Sequence, residues 1–322
     1  MALFPHLRAK IVKWLDHKGF VLIRKQRYLQ DIRFDRDVEE ACLLQSQHEC
    51  IDSIVFSKDR AMQLYAFLSS YLQQVNGYHT MYILYKVSDE RHRKSYGELE
   101  TLFVKAPFIF VEETDFRRQM MELVNKSAAK SIALYVDDMV FLHPVDYNAL
   151  IKLPTRHHIV ALSRGKDLVE SVVLQRKVEL PEFEDLPAGL LSFRWDCVNY
   201  LSDWTYPLGV SAYIYGKSEL SVLFSQIEFK APNSLEIAMQ RYKPFFQSRL
   251  GVCYPIIACC CVHANLVQTE CVNPTLETFS VQQLLERWEQ GECIDLTPFY
   301  GVTGRDAQEM CYTFKKRDTR NG

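Results

Sequence analysis

Asp137 and Asp138 stand where the apolar run "SIALYVDDMVFLHPVD" (residues 131–146) breaks. A segment built for burial that ends in two adjacent carboxylates can offer oxygen ligands to a hard divalent cation, Mg2+ or Mn2+. Through that cation it can reach phosphate oxygens. The same acids could also do no more than cap the next turn, since Asp is a common turn residue. Three earlier apolar runs end in the same way. "IDSIVFS" leads into Ser57-Lys58-Asp59-Arg60, "TMYILYKVS" into Ser88-Asp89-Glu90, and "FIFVEE" closes on Glu112-Glu113. A further carboxylate, Glu236, falls in the first turn of a helix expected over "APNSLEIAMQRY", capped by Asn233 or Ser234. Trp195, Trp204, Tyr206, Tyr213 and Tyr215, in an aromatic, glycine-punctuated stretch, could stack on sugar faces, because a ring presents a flat apolar surface to C–H groups; they serve equally well as core.

The elements that must position these residues are β-branched runs alternating with helical periodicity. "IDSIVFS" reads as a strand. Ala61, Leu64, Tyr65, Leu68, Leu72 and Val75 then recur on one helical face. Strand patterns at "TMYILYKVS", "FIFVEE" and "SIALYVDD" are separated by helical patterns at "SYGELETLF" and "DFRRQMMELVNKSA". Such alternation predicts an α/β fold with a mixed, largely parallel sheet flanked by helices. Sheets of this kind bind ligands beyond the carboxyl ends of their strands, where the acids gather. Beyond residue 150 the rhythm loosens into a strand at "HHIVALS", strands and turns through "LPAGLLSFRWD" and "YPLGVSAYIYGKSEL", and a buried strand at "GVCYPIIACCCVHANLV". We divide the chain into a basic helical extension (1–49), a catalytic-type domain (50–274) and a C-terminal extension (275–322). In the last, "SVQQLLERWEQG" is a helix ending at Gly291 and "KKRDTRNG" a frayed tail.

Composition bounds the function classes. The 322 residues are 48% hydrophobic and 12% aromatic, enough for a large core, and the net charge of −2 argues against nucleic acid as a partner. None of the ten cysteines forms a C-x-x-C pair, so no zinc knuckle or redox motif is offered. Cys259-Cys260-Cys261 alternate faces on a strand and read as buried free thiols. No signal peptide or membrane-spanning run is expected, which places the chain in a reduced, cytoplasmic setting. Residues 1–30 carry seven Lys and Arg against Asp16 alone, with Phe4, Leu7, Ile11, Val12 and Leu15 at helical spacing. That helix either packs on its own domain with a solvated basic face or makes a peripheral contact with an anionic membrane surface.

The order "IVFSKDR", helix, "YILYKVSDE", helix, "FIFVEE", helix, "IALYVDDMVFL" resembles the GT-A fold glycosyltransferases, over roughly residues 51–268. The resemblance implies a Rossmann-like fold and transfer of a sugar from a nucleotide-sugar donor to a hydroxyl of a glycan or lipid-linked acceptor. It implies that Ser57, Asp59 and Arg60 hold the nucleotide and Asp89 meets its base. Tyr135-Val136-Asp137-Asp138-Met139 stands for the acidic metal motif, with Asp138 on Mn2+ or Mg2+ and Asp137 on the donor. The motif is D-D here rather than D-x-D, which leaves the division between the two acids open. The resemblance further implies His263 as a metal ligand and Glu236 as the general base of an inverting transfer, although a first-turn Glu also merely complements the helix dipole, which lowers its pKa. Trp204 and Tyr213 would face the acceptor. A nucleotidyltransferase on a related sheet is the alternative, but "FSKDRAMQ" lacks the glycine-rich loop that class uses; a third is a non-catalytic binding protein of the same fold.

Overall fold

The computed structural model describes Lys18 and residues 25–44, 48–171, 174–198, 200–262, 265 and 279–317. Two compact units divide it, Met1–Gln45 and Ser46–Gly322. In the first, helix α1 spans Lys25–Leu44, with Phe34 and Val38, one turn apart, as buried residues. The expected basic helix over the first residues lies outside those described. Among the described residues no helix is long and apolar enough to cross a membrane.

The second unit is α/β. Strand β1 (His48–Lys58) is buried from Ile51 through Ser57, on both faces, as a central strand must be. It is followed by α2 (Ala61–Gln74), β2 (Met81–Lys86), α3 (Glu90–Leu102), β3 (Phe108–Glu112), α4 (Phe116–Lys126) and β4 (Ala129–Val136). These four strands are parallel in the order β4-β1-β2-β3. The chain lays β2 and β3 on one side of β1, then crosses to lay β4 on the other. The order therefore reverses between β1 and β4, the switch point at which open α/β sheets form a crevice.

The sheet continues past β4 with mixed direction. Next come β9 (Tyr213–Gly216), β6 (His158–Ala161), β10 (Leu250–Cys253), β8 (Leu190–Arg194) and β7 (Glu184–Leu186), making nine strands in all. β9 runs antiparallel to both β4 and β6. β6 therefore points the same way as β4, and its carboxyl end reaches the same edge. A short ribbon, β5 (Met139–Phe141) paired with β11 (Cys259–Cys261), leaves the sheet directly after the acid pair. Val262 N–H donates to Asp138 O at 2.8 Å, closing the ribbon against that turn.

Several local readings change. "KSELSVLFSQ" is helix α5 (Lys217–Gln226), not turns, because Leu220, Leu223 and Phe224 bury on one face. Helix α6 (Pro232–Met239) has Ala231 at its N-cap, not Asn233 or Ser234; Ser234 Oγ reaches back to accept the N–H groups of Lys230 and Ala231, each at 2.9 Å. Glu236 thus lies beyond the first turn. Helix α7 (Val281–Glu289) buries Leu284, Leu285 and Trp288, and the chain turns at Gly291 with φ +77°. The tail is not wholly frayed: Phe314–Lys316 forms a strand paired with Glu292–Ile294, and Arg317 lies 3.5 Å from the Trp288 ring centroid. Trp288 in turn meets Tyr65 of α2 edge-on at 5.6 Å.

Candidate active site

A cavity of about 620 Å3 opens at the carboxyl edge, beside the β1/β4 switch point. β1 and β4 deliver Ser57 and Asp137 to it in register, with Phe56 opposite Val136. Asp137 N–H donates to Phe56 O at 3.1 Å, so the turn carrying the acids is stitched to the end of β1. Asp137 is buried. Its Oδ2 accepts from Ser57 Oγ at 2.8 Å and Lys58 N at 3.3 Å, and its Oδ1 from Arg60 Nη1 at 3.1 Å. The same Nη1 donates to Asp138 Oδ2 at 3.2 Å, and Arg60 Nη2 to Asn265 O at 2.6 Å. Tyr96 of α3 braces the group, with its hydroxyl 2.5 Å from Ser57 Oγ and accepting Arg60 N–H at 3.2 Å. Burial raises the Asp137 carboxyl above the ordinary range even though the Arg60 charge opposes it.

These contacts decide which acid is free. Both oxygens of Asp137 are occupied, whereas Asp138 Oδ1 is buried and meets no hydrogen-bond partner. The Cys261 thiol beside it is held protonated, by burial first and by the Asp138 charge second, and donates a weak S–H hydrogen bond to Asp138. Divalent cations of the Mg2+ type are commonly held by one or two carboxylates plus substrate phosphates. The residues therefore fit a cation through Asp138, with Arg60 supplying a fixed positive charge beside it. His263, the other expected ligand, lies outside the described residues. A separate group, Cys50, Asp52 and His79, has potential ligand atoms within 4.8 Å of one another. It sits at the amino ends of β1 and β2, the opposite edge. There Asp52 is engaged by His79 Nδ1 (2.6 Å), Thr80 N (3.1 Å) and Ser127 Oγ (2.6 Å).

Glu236 faces the acid pair's cavity from the other half of the sheet. Its Oε1 accepts from Tyr206 Oη at 2.9 Å and its Oε2 from Val210 N at 3.0 Å. Burial raises its pKa; the two donors and the Arg164 charge pull the other way. The dipole-lowered carboxyl expected of a first-turn Glu is thus replaced by a raised one, because the side chain is half-buried in the fifth helical position. Gly209 lets the Tyr213 ring pack against this segment: a Cβ there would lie 2.5 Å from the ring.

The remaining expected residues fall elsewhere. Arg60 is itself only 7% exposed and locked between the aspartates, so it shapes the site instead of reaching out of it. Asp59, with φ +54°, turns its carboxylate to Ser88, accepting N–H at 2.7 Å and Oγ–H at 2.6 Å. Asp89 caps α3 by accepting His92 N–H at 3.0 Å, and does not line the cavity. Trp204 is 0% exposed, its ring edge-on to Phe193 at 4.9 Å and to Phe183 at 5.6 Å, so it presents no face to an acceptor. Tyr213 borders the cavity but is 2% exposed; its hydroxyl accepts from Arg164 Nη2 at 2.9 Å and donates to Tyr206 O at 2.8 Å. It is a strut, not a stacking platform.

Tyr206, read from the sequence as a ring that could stack on a sugar, lines the cavity; Arg164, Asp203 and Lys230 line it too and were not singled out from the sequence. For Arg164 a signal existed: "HHIVALSR" is a strand ending in polar residues, as at the four earlier strand tips. The others sit on loops with no periodicity to place them.

No protein-family model matches the chain, and no curated protein sequence matches it. Solved structures similar to it include a nucleotidyl transferase from Methanothermobacter thermautotroptrophicus, at 12% identity and TM-score 0.36 over 65% of this chain and 90% of that one. Another is residues 1–349 of S. aureus TarS, at 11% identity and TM-score 0.41 over 64% of this chain and 58% of that one. A third is the mannosyltransferase PcManGT from Pyrobaculum calidifontis in complex with GDP-Man and Mn2+, at 13% identity and TM-score 0.30 over 44% of this chain and 43% of that one. Similarity at this level concerns fold alone.

Proposed function

We propose that the chain is a glycosyltransferase that moves a sugar from a nucleotide-sugar donor to a hydroxyl acceptor with inversion. One observation carries this reading: Asp138, with a buried oxygen that no N–H or O–H donor engages, beside Arg60, and Glu236, a carboxylate of raised pKa, line one cavity at the sheet's switch point. The donor's nucleotide would lie over the ends of β1 and β2, against Ser57 and Lys58, with its diphosphate toward Arg60 and Asp138. Asp138 would hold Mn2+ or Mg2+, which when bound neutralises charge on the departing diphosphate. Arg60 and Ser57 keep the Asp137–Asp138 turn rigid, so this charge environment needs no rearrangement during reaction. Glu236 would take the proton of the acceptor hydroxyl as that oxygen bonds to the anomeric carbon. The bond from that carbon to the diphosphate breaks, and its electron pair leaves with the nucleoside diphosphate. A general base works best with a pKa near the working pH, and burial moves Glu236 in that direction. Tyr206 and Val210 orient the carboxylate while leaving it lone pairs for a third donor.

The test is a thermal-shift panel of UDP and GDP with and without Mn2+. Binding to the native state raises Tm by mass action. A nucleotide shift that Mn2+ enlarges in the wild type, and does not enlarge in Asp138→Asn, is the expected result; no shift with either nucleotide overturns the reading.

A further inference from the structure

Among the described residues, Asp203 is the other carboxylate lining the cavity with a buried oxygen that meets no hydrogen-bond partner. Its Oδ2 is buried and meets no hydrogen-bond partner, yet the residue lines the cavity that holds Glu236. Unpaired buried polar atoms are uncommon in folded proteins, and each calls for a reason. Local architecture does not supply one. The turn is capped without the Asp203 side chain: Ser202 Oγ accepts Trp204 N–H at 3.3 Å, and Ser202 N–H donates to Thr205 Oγ1 at 2.9 Å. Buried Trp204 pins the turn to the core beneath. Nor does Arg164 use up the carboxylate. Its Nε donates to the Asp203 backbone O at 3.1 Å, Nη1 to Ser163 O and Nη2 to Tyr213 Oη, leaving Asp203 Oδ1 at 4.0 Å. The carboxylate is therefore held in place by its backbone, charge-balanced at a distance, and without a donor at one buried oxygen.

The same frame carries Glu236. Arg164 donates to Tyr213 Oη, Tyr213 Oη donates to Tyr206 O, and Tyr206 Oη donates to Glu236 Oε1. Residues 202–210 thus supply Asp203, Tyr206 and the Val210 N–H on one short segment leading into β9. Two carboxylates fixed to one frame, one of them lacking a donor, suit a ligand with two hydroxyls better than a lone alcohol. An ionised carboxylate can only accept, and a sugar hydroxyl is a matching donor.

We propose that Asp203 is a positioning residue that accepts a hydrogen bond from one hydroxyl of a carbohydrate acceptor while a second hydroxyl of the same molecule faces Glu236. The acceptor class is then a sugar or sugar-like polyol. A lone lipid alcohol would leave Asp203 Oδ2 unpaired. The proposal rests on the transfer reaction inferred above, in which Glu236 meets the acceptor.

The test uses the full chain with UDP or GDP and Mn2+ present. Methyl glycosides of glucose, galactose and mannose serve as probes, with 2-propanol as the lone-alcohol comparison, followed by saturation-transfer NMR. At least one glycoside should bind the wild type and bind about tenfold or more weakly to both Asp203→Asn and Asp203→Ala, the scale of a lost hydrogen bond to a charged group. The nucleotide thermal shift should be the same in all three proteins. A deoxy analogue of the bound glycoside should lose affinity for the wild type and lose no more in Asp203→Ala, since both changes remove the same contact. Undiminished glycoside binding by the variants overturns the proposal. So does wild type that binds nucleotide but no glycoside, and so does a nucleotide shift that falls in step with glycoside binding. A wild type that ignores both nucleotides sinks the transferase reading itself, a result separate from all of these.

Discussion

The acids on the two sides of the cavity differ in what holds them. On the parallel side, Asp137 and Asp138 share the Arg60 guanidinium; Arg60 and Asp137 are buried and Asp138 is half-buried. On the mixed side, Glu236 is held by two neutral donors, a phenol and a backbone N–H. The first arrangement is a fixed charge pattern: a cation anchored between two anions, with one anion oxygen left over. The second is a proton-accepting arrangement, because burial favours the neutral form of the carboxyl more than its two donors and the Arg164 charge oppose it. Residues of one chemical type become a charge site or a base according to their partners.

Removing the cation should break the first side most severely. Arg60→Ala leaves the buried Asp137 carboxylate without its cation and facing Asp138, and loss of one partner of a buried ion pair costs about 3–5 kcal/mol. A large drop in Tm, with the denaturant midpoint following, is the expected result; a variant as stable as wild type would mean that the pair does not depend on Arg60.

Glu236→Gln addresses the second side. Gln can still accept Val210 N–H through its oxygen, and its amide can donate to Tyr206 Oη, so the frame survives. Transfer should slow by about 10² or more, the usual scale for a positioned base, while nucleotide affinity is unchanged. The wild-type rate should fall in acid with a midpoint above the ordinary glutamate value of 4.5. The linkage sign is fixed by the raised pKa. Its stabilising contribution is complete below the unfolded pKa and is lost as pH rises through the folded pKa. At pH 7 the Gln variant should therefore melt at or above wild type, with the difference fading toward acid. A variant that melts lower and turns over normally would make Glu236 structural.

Asp138→Asn is milder. Asp137 still grips Arg60, so the fold should persist, while the enhancement of nucleotide affinity by Mn2+ falls about tenfold or more. An equal loss of affinity without Mn2+ would point to direct nucleotide contact instead. Smallest of all is Asp89→Ala, which should lower Tm slightly through the lost α3 cap and leave nucleotide affinity untouched. A marked affinity loss would return Asp89 to the base-binding role implied by the resemblance.

What the sequence determined by itself was periodicity and where it stops. β-branched runs alternating with helical stripes decide an α/β sheet, because each pattern buries its apolar face in only one secondary structure. Acids at the tips of those runs then have to lie on one edge, since parallel strands end together. Ser57, Arg60, Asp137 and Asp138 were readable for that reason. Partnership was not readable. That Asp89 and Asp59 spend their carboxylates on a helix cap and a neighbouring loop depends on local backbone geometry. That Trp204 is core and Arg164 a cavity strut depends on the direction of β9, an antiparallel insertion between β4 and β6. That Glu236 has a raised pKa instead of a dipole-lowered one depends on burial by a segment 26 and more residues away in the chain. Hydrogen-bond partners and desolvation are set by long-range packing, and only the tertiary structure brings those groups together.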